Sequence, residues 1–533
     1  MKKGLLLSLA FICSTAVTFA QGEFEAFKMS KTDLKGTARS VSMGGAFGAL
    51  GGDISGVAIN PAGIGVYTGS EIVTTMNFRN NSIKSTLTGN SNTEDRFKFS
   101  FDNLGFVTTL PLFSDAVPKL NIGFSYNKLK SFDRLVSTKG TGFRKGSLTD
   151  YMAHRAGTSG ITSFGLEQGD HIWGSHDWMG VLGYNSFLIN QIDDHNFVSS
   201  IGGDNMVMDN ALRLKEKGYI NSYDFTVGTT ISDILSIGFT ASITDIDYSL
   251  NSYYQEVFTE GSYNGGFSLK DEVSTDGTGY QVSVGAILKP IDEIRIGIAY
   301  HSPTWYKMED VYYAKVDHDL TSLLNASGQE IDPKYINGYV APDGRYNYEY
   351  EFTSPGKWTF SLASIIASKA IISVDYDLID YKHMKLHDYY WDDYSIANSG
   401  VNGRIKQNFK LSSTLRIGAE YRFTPQFSAR AGYSWVQSPL EKNFKANKVE
   451  AHTAGTSSAF IMEGDTQYIT WGLGYRFTKN FYTDIAFVYR QQKDDLYAFT
   501  NTYDNNGTRM IESIPAKLKT TGFQGLLTLG VKF

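Results

Sequence analysis

The sequence predicts an all-β protein: a transmembrane antiparallel β-barrel of about 14 strands, an even number as such barrels use, with a small N-terminal hatch inside its lumen. Three observations carry this. Beyond Tyr67, apolar and polar residues alternate in runs of about ten, the length a tilted strand needs to cross a bilayer. The 533 residues include 33 Tyr, 34 Phe and 53 Gly but only 11 Pro, and mean hydropathy is negative. That composition suits aromatic girdles around a barrel. A helical membrane protein would need apolar runs of about 18 residues, which the chain lacks beyond its first twenty. Finally, short links alternate with long ones, as periplasmic turns alternate with outer loops.

Residues 1–20 read as a secretory signal. Lys2 and Lys3 supply the charge, Gly4 to Val17 the apolar core, and Thr18-Phe19-Ala20 the small cleavage residues, so the mature chain is expected to begin at Gln21. The single cysteine, Cys13, lies in this segment, so no disulfide chemistry is expected afterwards. Losing Lys2 and Lys3 moves the formal charge from −6 to −8, with 47 basic against 55 acidic residues. That balance disfavours nucleic acid as a partner.

Residues 21–69 form the expected hatch and 70–533 the barrel. The organising stretch is Ala38 to Tyr67, which is nearly uncharged and rich in glycine. Gly44, Gly45, Gly48, Gly51 and Gly52 permit sharp turns and close backbone approach. Asp53 is placed to cap a short helix over Ile54–Ile59, and Pro61 to stop it.

Strands are expected to begin near Ser70, Asp95, Lys119, Tyr219, Ile234, Gly277, Glu293, Gly356, Ala370, Asn408, Gln426, Thr466, Asn480 and Lys519. Period two assigns faces. Ile469, Trp471, Leu473, Tyr475 and Phe477 share one face of their strand, and Thr470, Gly472, Gly474 and Arg476 the other. Phe97–Leu110 changes phase near Leu104, which predicts a bulge. Short links include Ser232-Asp233, Ser368-Lys369 and Thr424-Pro425-Gln426. The longest link is Ser131–Gly218, followed by Val311–Arg345, Lys382–Gln407, Ser438–Asp465 and Gln491–Leu518. In the last strand Phe523, Leu527, Leu529, Val531 and Phe533 share a face. A final Phe after such alternation resembles the signal read by the barrel-insertion machinery, an expected partner.

The run Gly44-Gly45-Ala46-Phe47-Gly48-Ala49, then Asp53-Ile54-Ser55-Gly56, then Asn60-Pro61-Ala62-Gly63 resembles the start of the FadL family of outer-membrane transporters for long-chain fatty acids and other hydrophobic compounds. Weaker patches extend the likeness: Tyr300-His301-Ser302-Pro303, Ser354-Pro355-Gly356-Lys357-Trp358, and Leu415–Tyr421 with Arg430–Tyr433. The resemblance implies capture at the outer loops, an apolar pocket in the barrel, and sideways release through a gap near the third strand. It also implies that the hatch and N-terminus line the pocket. The ligand-binding residues would then be Phe24, Phe27, Phe47, Asn60, Pro61, Ala62 and Gly63, with the Asn60–Ala62 turn facing a lateral-opening strand that bears Leu120, Ile122, Phe124 and Tyr126.

No catalytic motif stands out, and no enzyme, cofactor or metal is expected. His171, His176 and His195 with Asp170, Asp177 and Asp193 are spaced too loosely for a metal site and read as solvated loop residues. Trp173 and Trp178 suit either a cover over the pore mouth or the lipid boundary. Arg295, Arg416, Glu420, Arg422, Arg430, Arg476, Asp484 and Arg490 face inward and read as a salt-bridged polar lumen. The expected function is passage of hydrophobic solutes, fatty acids foremost, across the outer membrane of a Gram-negative bacterium without energy input. Outer-membrane lipids are the expected surroundings. A general diffusion porin and a haem-uptake receptor are the alternatives.

Overall fold

The computed structural model describes residues 22–533 apart from 113, 160–171, 176, 194–195, 202–205, 261–263, 322–328, 330–331, 333–335, 390–395, 397–398, 454–455 and 505. The expected signal segment and His171, His176, His195 and Asp170 therefore lie outside the described residues.

Fourteen antiparallel strands close into a barrel. They are β1 (Glu71–Leu87), β2 (Asn90–Pro111), β3 (Lys119–Ser131), β4 (Val207–Ile231), β5 (Leu235–Glu260), β6 (Asn264–Ile291) and β7 (Ile294–His301, continued by Trp305–Thr321). β8 follows (Tyr346–Thr353, continued by Lys357–Ile366), then β9 (Ala370–Asp380), β10 (Leu411–Arg422), β11 (Phe427–Val436), β12 (Thr466–Arg476), β13 (Phe481–Tyr497) and β14 (Ala516–Lys532). The first and last strands pair from Glu71↔Lys532 to Thr86↔Lys517, so no edge remains for lipid to meet.

The faces follow period two. Ile469, Trp471, Leu473, Tyr475 and Phe477 are exposed on the outside, while Tyr468, Thr470 and Gly472 are buried inside. Ser232 and Asp233 both have positive φ (50° and 59°), as a two-residue hairpin matching the strand twist requires. The expected bulge exists two residues before Leu104. Thr75 pairs with Asn103 and Met76 with Phe101, so Asp102 is the extra residue and both Asp102 and Asn103 point inward.

The outer side differs from the expected run of long loops. The first outer link is only Thr88-Gly89, because Leu87 still pairs with Asn90. β5 and β6 run for 26 and 28 residues, well past the roughly ten that span the bilayer. The outer segments are thus partly extended ladder, where each added pair satisfies its own backbone groups.

The link after β3 folds over the barrel mouth. It carries a strand, Arg134–Phe143, that pairs with β4, and the helices Leu148–Thr158 and Trp178–Asn185. Ser147 and Asp150 form a reciprocal capping box at the first helix, and Asp177 caps the second. The rings of Trp173 and Trp178 stand 4.9 Å apart and are buried, and Trp178 meets Tyr312 and Tyr346 of the barrel edge to face. The pair thus covers the mouth and does not lie at the lipid boundary.

Candidate functional site

The N-terminal segment forms α1 (Glu23–Ser30), α2 (Ala38–Ser42), α3 (Ile54–Ile59) and a 3-10 turn over Pro61–Val66. The cap read from sequence at Asp53 is present, and Asn60 adds a second. The Asp53 side chain accepts from the Ser55 N–H at 2.9 Å, and Asn60 accepts from the Ala62 N–H at 3.0 Å. Thr37 caps α2 and donates to the Asp53 carboxylate at 2.8 Å, tying the two turns together.

This segment sits inside the barrel on fixed seats. Phe47 and Gly48 donate their N–H groups to Asp375 of β9 at 2.9 and 2.8 Å. Gly44 has φ 66°, and a Cβ there would lie 2.8 Å from the Tyr433 carbonyl oxygen of β11. Only glycine fits that conformation and that approach. Ser42 and Gly44 engage the Thr470 hydroxyl at 2.9 and 3.0 Å. Arg39 forms two hydrogen bonds to Glu420, which also binds Arg430, which in turn reaches Asp484. The inward charges therefore do form a paired network, and the hatch is part of it. Arg295 and Arg490 lie outside that network, donating to the Leu50 carbonyl and to the Gln492 side chain, and Arg422 and Arg476 are exposed at the periplasmic rim.

The expected pocket residues disperse. Phe24 and Phe27 are buried in an aromatic cluster under the outer cap, against Phe444 and Phe460 and against Tyr381 and Phe409. The central cavity is lined instead by the next stretch, Met29 to Gly36, because α1 rises beside the cavity into the cap. Phe47 is fully buried within the hatch core, beside the Arg39 guanidinium at 5.3 Å. Of the Asn60–Gly63 turn, Pro61 reaches the cavity. Asn60 holds the Gly48 carbonyl at 2.7 Å and approaches Gly285, and the Pro61 carbonyl abuts Gly238. The turn thus faces β5 and β6, while Ile64 faces β3 at Gly123 and receives the Asn121 amide on its carbonyl at 2.7 Å.

Leu120, Ile122, Phe124 and Tyr126 project outward, since the inward positions of β3 are taken by Asn121, Gly123, Ser125 and Asn127. The ladder is unbroken across all four on the β2 side, and from Asn121 outward through Tyr126 on the β4 side. The break lies further out. β2 and β3 cease to pair beyond Asn103↔Asn127, and β3 shifts register against β4 between Lys128 and Lys130. Side chains close this seam. Lys35 of the hatch meets Asp102 at 2.7 Å, Asn103 donates to Asn127 at 2.6 Å, and Asp133 receives Lys98 and Arg96.

Between hatch and wall lies a cavity of about 250 Å³. Its hatch side mixes apolar residues, Met29, Leu34, Val57, Ile59 and Pro61, with the charged Lys31, Asp33 and Lys35, and its wall is rich in hydroxyls and charge. His301 sits between the Ser283 hydroxyl (2.8 Å) and the Ile59 carbonyl (2.9 Å). A carbonyl only accepts, so Nε2 carries the proton and Nδ1 accepts from Ser283. Asp377 is engaged by Arg416 and by Thr359. Lys357 also lines the cavity, and among the described residues it has no hydrogen-bond or ion-pair partner. Sequence reasoning passed over Lys357, although it lies in the Ser354–Trp358 patch, and over Lys35 and Asp102. The bulge was the available signal for Asp102.

A family model described as outer membrane protein transport protein (OMPP1/FadL/TodX) matches residues 219–524. A Pseudomonas aeruginosa FadL homologue of known structure superposes with TM-score 0.51 at 13% identity, covering 95% of this chain and all of the other. A deltaS2 mutant of the TodX monoaromatic hydrocarbon channel gives 0.50 at 12% identity, covering 94% and 100%. The P. putida toluene transporter TodX gives 0.49 at 13%, covering 94% and 99%. No curated protein sequence matches.

Proposed function

Because the chain belongs to the OMPP1/FadL/TodX family of outer-membrane transport proteins, we propose that its own solute is an amphiphile of the long-chain fatty-acid type, passed without energy input. One observation carries this reading: the cavity brings the apolar side chains of Met29, Leu34, Val57 and Ile59 together with Lys357, whose side chain forms no hydrogen bond or ion pair among the described residues. Each CH2 entering the apolar side gains about 0.8 kcal/mol. A carboxylate reaching Lys357 would form a charge-assisted hydrogen bond, which a pure hydrocarbon lacks. Release follows sideways through the seam between β2 and β3, where side chains alone hold the wall together above Asn103. Hatch movement that parts Lys35 from Asp102 would free that seam from within.

Titrating the purified barrel with a long-chain carboxylate, its methyl ester and toluene tests the proposal. The carboxylate is expected to bind at least about tenfold tighter than the ester, one charged hydrogen bond's worth. Equal affinity for carboxylate and ester, or preference for toluene, would overturn it in favour of the aromatic hydrocarbons named for TodX. Large steady ion currents in planar bilayers would favour a porin.

A further inference from the structure

The outer wall above the lipid belt carries its charge unevenly. On β4 the outward side chains pass from Val227, Phe225 and Tyr223, all exposed, to Tyr219 and then to Lys217, Lys215 and Arg213. The three cations occupy alternate positions and so form one column. Lys217 lies six residues beyond Tyr223, about 20 Å along the strand. Two neighbouring strands extend the patch. Lys128 follows Tyr126 on β3 at the edge of the central cavity and rests against the Tyr219 ring, and Lys139 projects outward from strand Arg134–Phe143, which pairs Ser137 with Arg213. None of the five cations forms an ion pair or hydrogen bond among the described residues. Three acids lie at the margin. Glu94 accepts from the Ser137 hydroxyl, Asp209 accepts from the Gly142 N–H, and Asp247 stands opposite Tyr219.

The adjoining wall is the opposite. Asp247, Asp276, Glu309 and Glu349 stand directly opposite one another in register across β5, β6, β7 and β8, with Asp245 and Glu351 in the next row inward. An anion at this height is therefore repelled from one side of the barrel and drawn to the other.

From this placement we infer that the outward face of β3, β4 and strand Arg134–Phe143 docks one lipopolysaccharide molecule of the outer leaflet. Its lipid A phosphates meet Lys128 and Lys217, and its inner-core anions meet Lys215, Arg213 and Lys139. The Tyr126–Tyr223 pair, with rings 5.6 Å apart, marks the level at which its acyl chains end and its sugars begin. The patch is continuous with the lipid belt, so an occupant with both greasy chains and phosphates fits it, and a soluble polyanion would leave the belt uncovered.

The test is native mass spectrometry of the full barrel extracted in mild detergent from outer membranes. The wild type is expected to retain lipopolysaccharide. A variant with Lys128, Lys139, Arg213, Lys215 and Lys217 all changed to Gln is expected to retain roughly tenfold less or lower still. The variant Lys307→Gln with Lys315→Gln, basic positions on the acidic side, is expected to match the wild type. Unchanged retention by the fivefold variant overturns the inference. So does equal binding of phosphorylated and dephosphorylated lipid A by the barrel reconstituted in phosphatidylethanolamine vesicles, since that leaves acyl contact alone. Should the fivefold variant not fold, Arg213→Gln and Lys217→Gln separately decide the matter. Each is expected to lower retention about threefold, and no change in either overturns it.

Discussion

Arg39 of the hatch holds Glu420 of the barrel wall with two hydrogen bonds, Nε at 3.0 Å and Nη2 at 3.2 Å. The pair is the inner end of a chain through Arg430 to Asp484, so the plug is wired into the wall and does not merely rest in it. Arg39→Met removes one of the two guanidinium groups on Glu420, which keeps Arg430, at a cost of about 1 kcal/mol to hatch docking. Hydrogen exchange over Ala38–Ser42 is expected to speed up while that of the strands stays unchanged.

Gly44→Ala is expected to unseat the hatch without unfolding the barrel. The substitution meets both a positive φ and the Tyr433 backbone, a strain on the order of 2 kcal/mol. Single-channel recordings are expected to show new open events, while the barrel keeps its resistance to detergent.

Lys357→Met is expected to weaken binding of a long-chain carboxylate by about tenfold or more, with the methyl ester unaffected. Lys357→Arg, which keeps the charge, is expected to restore most of the loss. Isothermal titration with the two ligands reads both outcomes.

Glu23 gives the N-terminus a pH dependence. Burial pushes its carboxyl up to about 7, against the lowering effect of the Asn408 amide at 2.7 Å and of the Arg404 charge. Glu25, on the same helix, is also raised by burial. A raised acid favours the docked state when protonated. Docking of α1 is therefore strongest below the ordinary carboxyl range and weakens as pH rises through 7, by up to about 3 kcal/mol for Glu23. His452, whose N–H faces Glu23, is pushed down to about 4 by burial and stays neutral across that window. The protection factor over Glu23–Ser30, which corrects for the base-catalysed intrinsic rate, is expected to be higher at pH 5 than at pH 8, and Glu23→Gln is expected to remove most of the difference.

The strand faces, the periplasmic turns, the Asp53 cap and the bulge were all legible in the sequence. Each is set by period two, by a side chain bonding its own backbone, or by a local phase change, and none needs a partner from far along the chain. The likeness carried by Gly44–Ala49 and Asn60–Gly63 was enough to identify the family. The site was less legible. Phe24 and Phe27 look like pocket residues because they are apolar and near the N-terminus, yet α1 packs them against Phe444, Phe460, Tyr381 and Phe409, residues more than 350 positions away. Trp173 and Trp178 likewise acquire their place from Tyr312 and Tyr346.

The sequence by itself determined a closed, two-faced sheet with a glycine-rich plug, because alternation and turn chemistry act between neighbours in the chain. The places where that plug makes its bonds, the charges that pair around the cavity, and the seam where side chains hold the wall follow from the tertiary structure. Those properties depend on which distant groups meet. Arg416 holds Asp377 while Lys357 forms no hydrogen bond or ion pair among the described residues, and the seam above Asn103 exists because β2 and β3 diverge there, neither of which any local run of residues encodes.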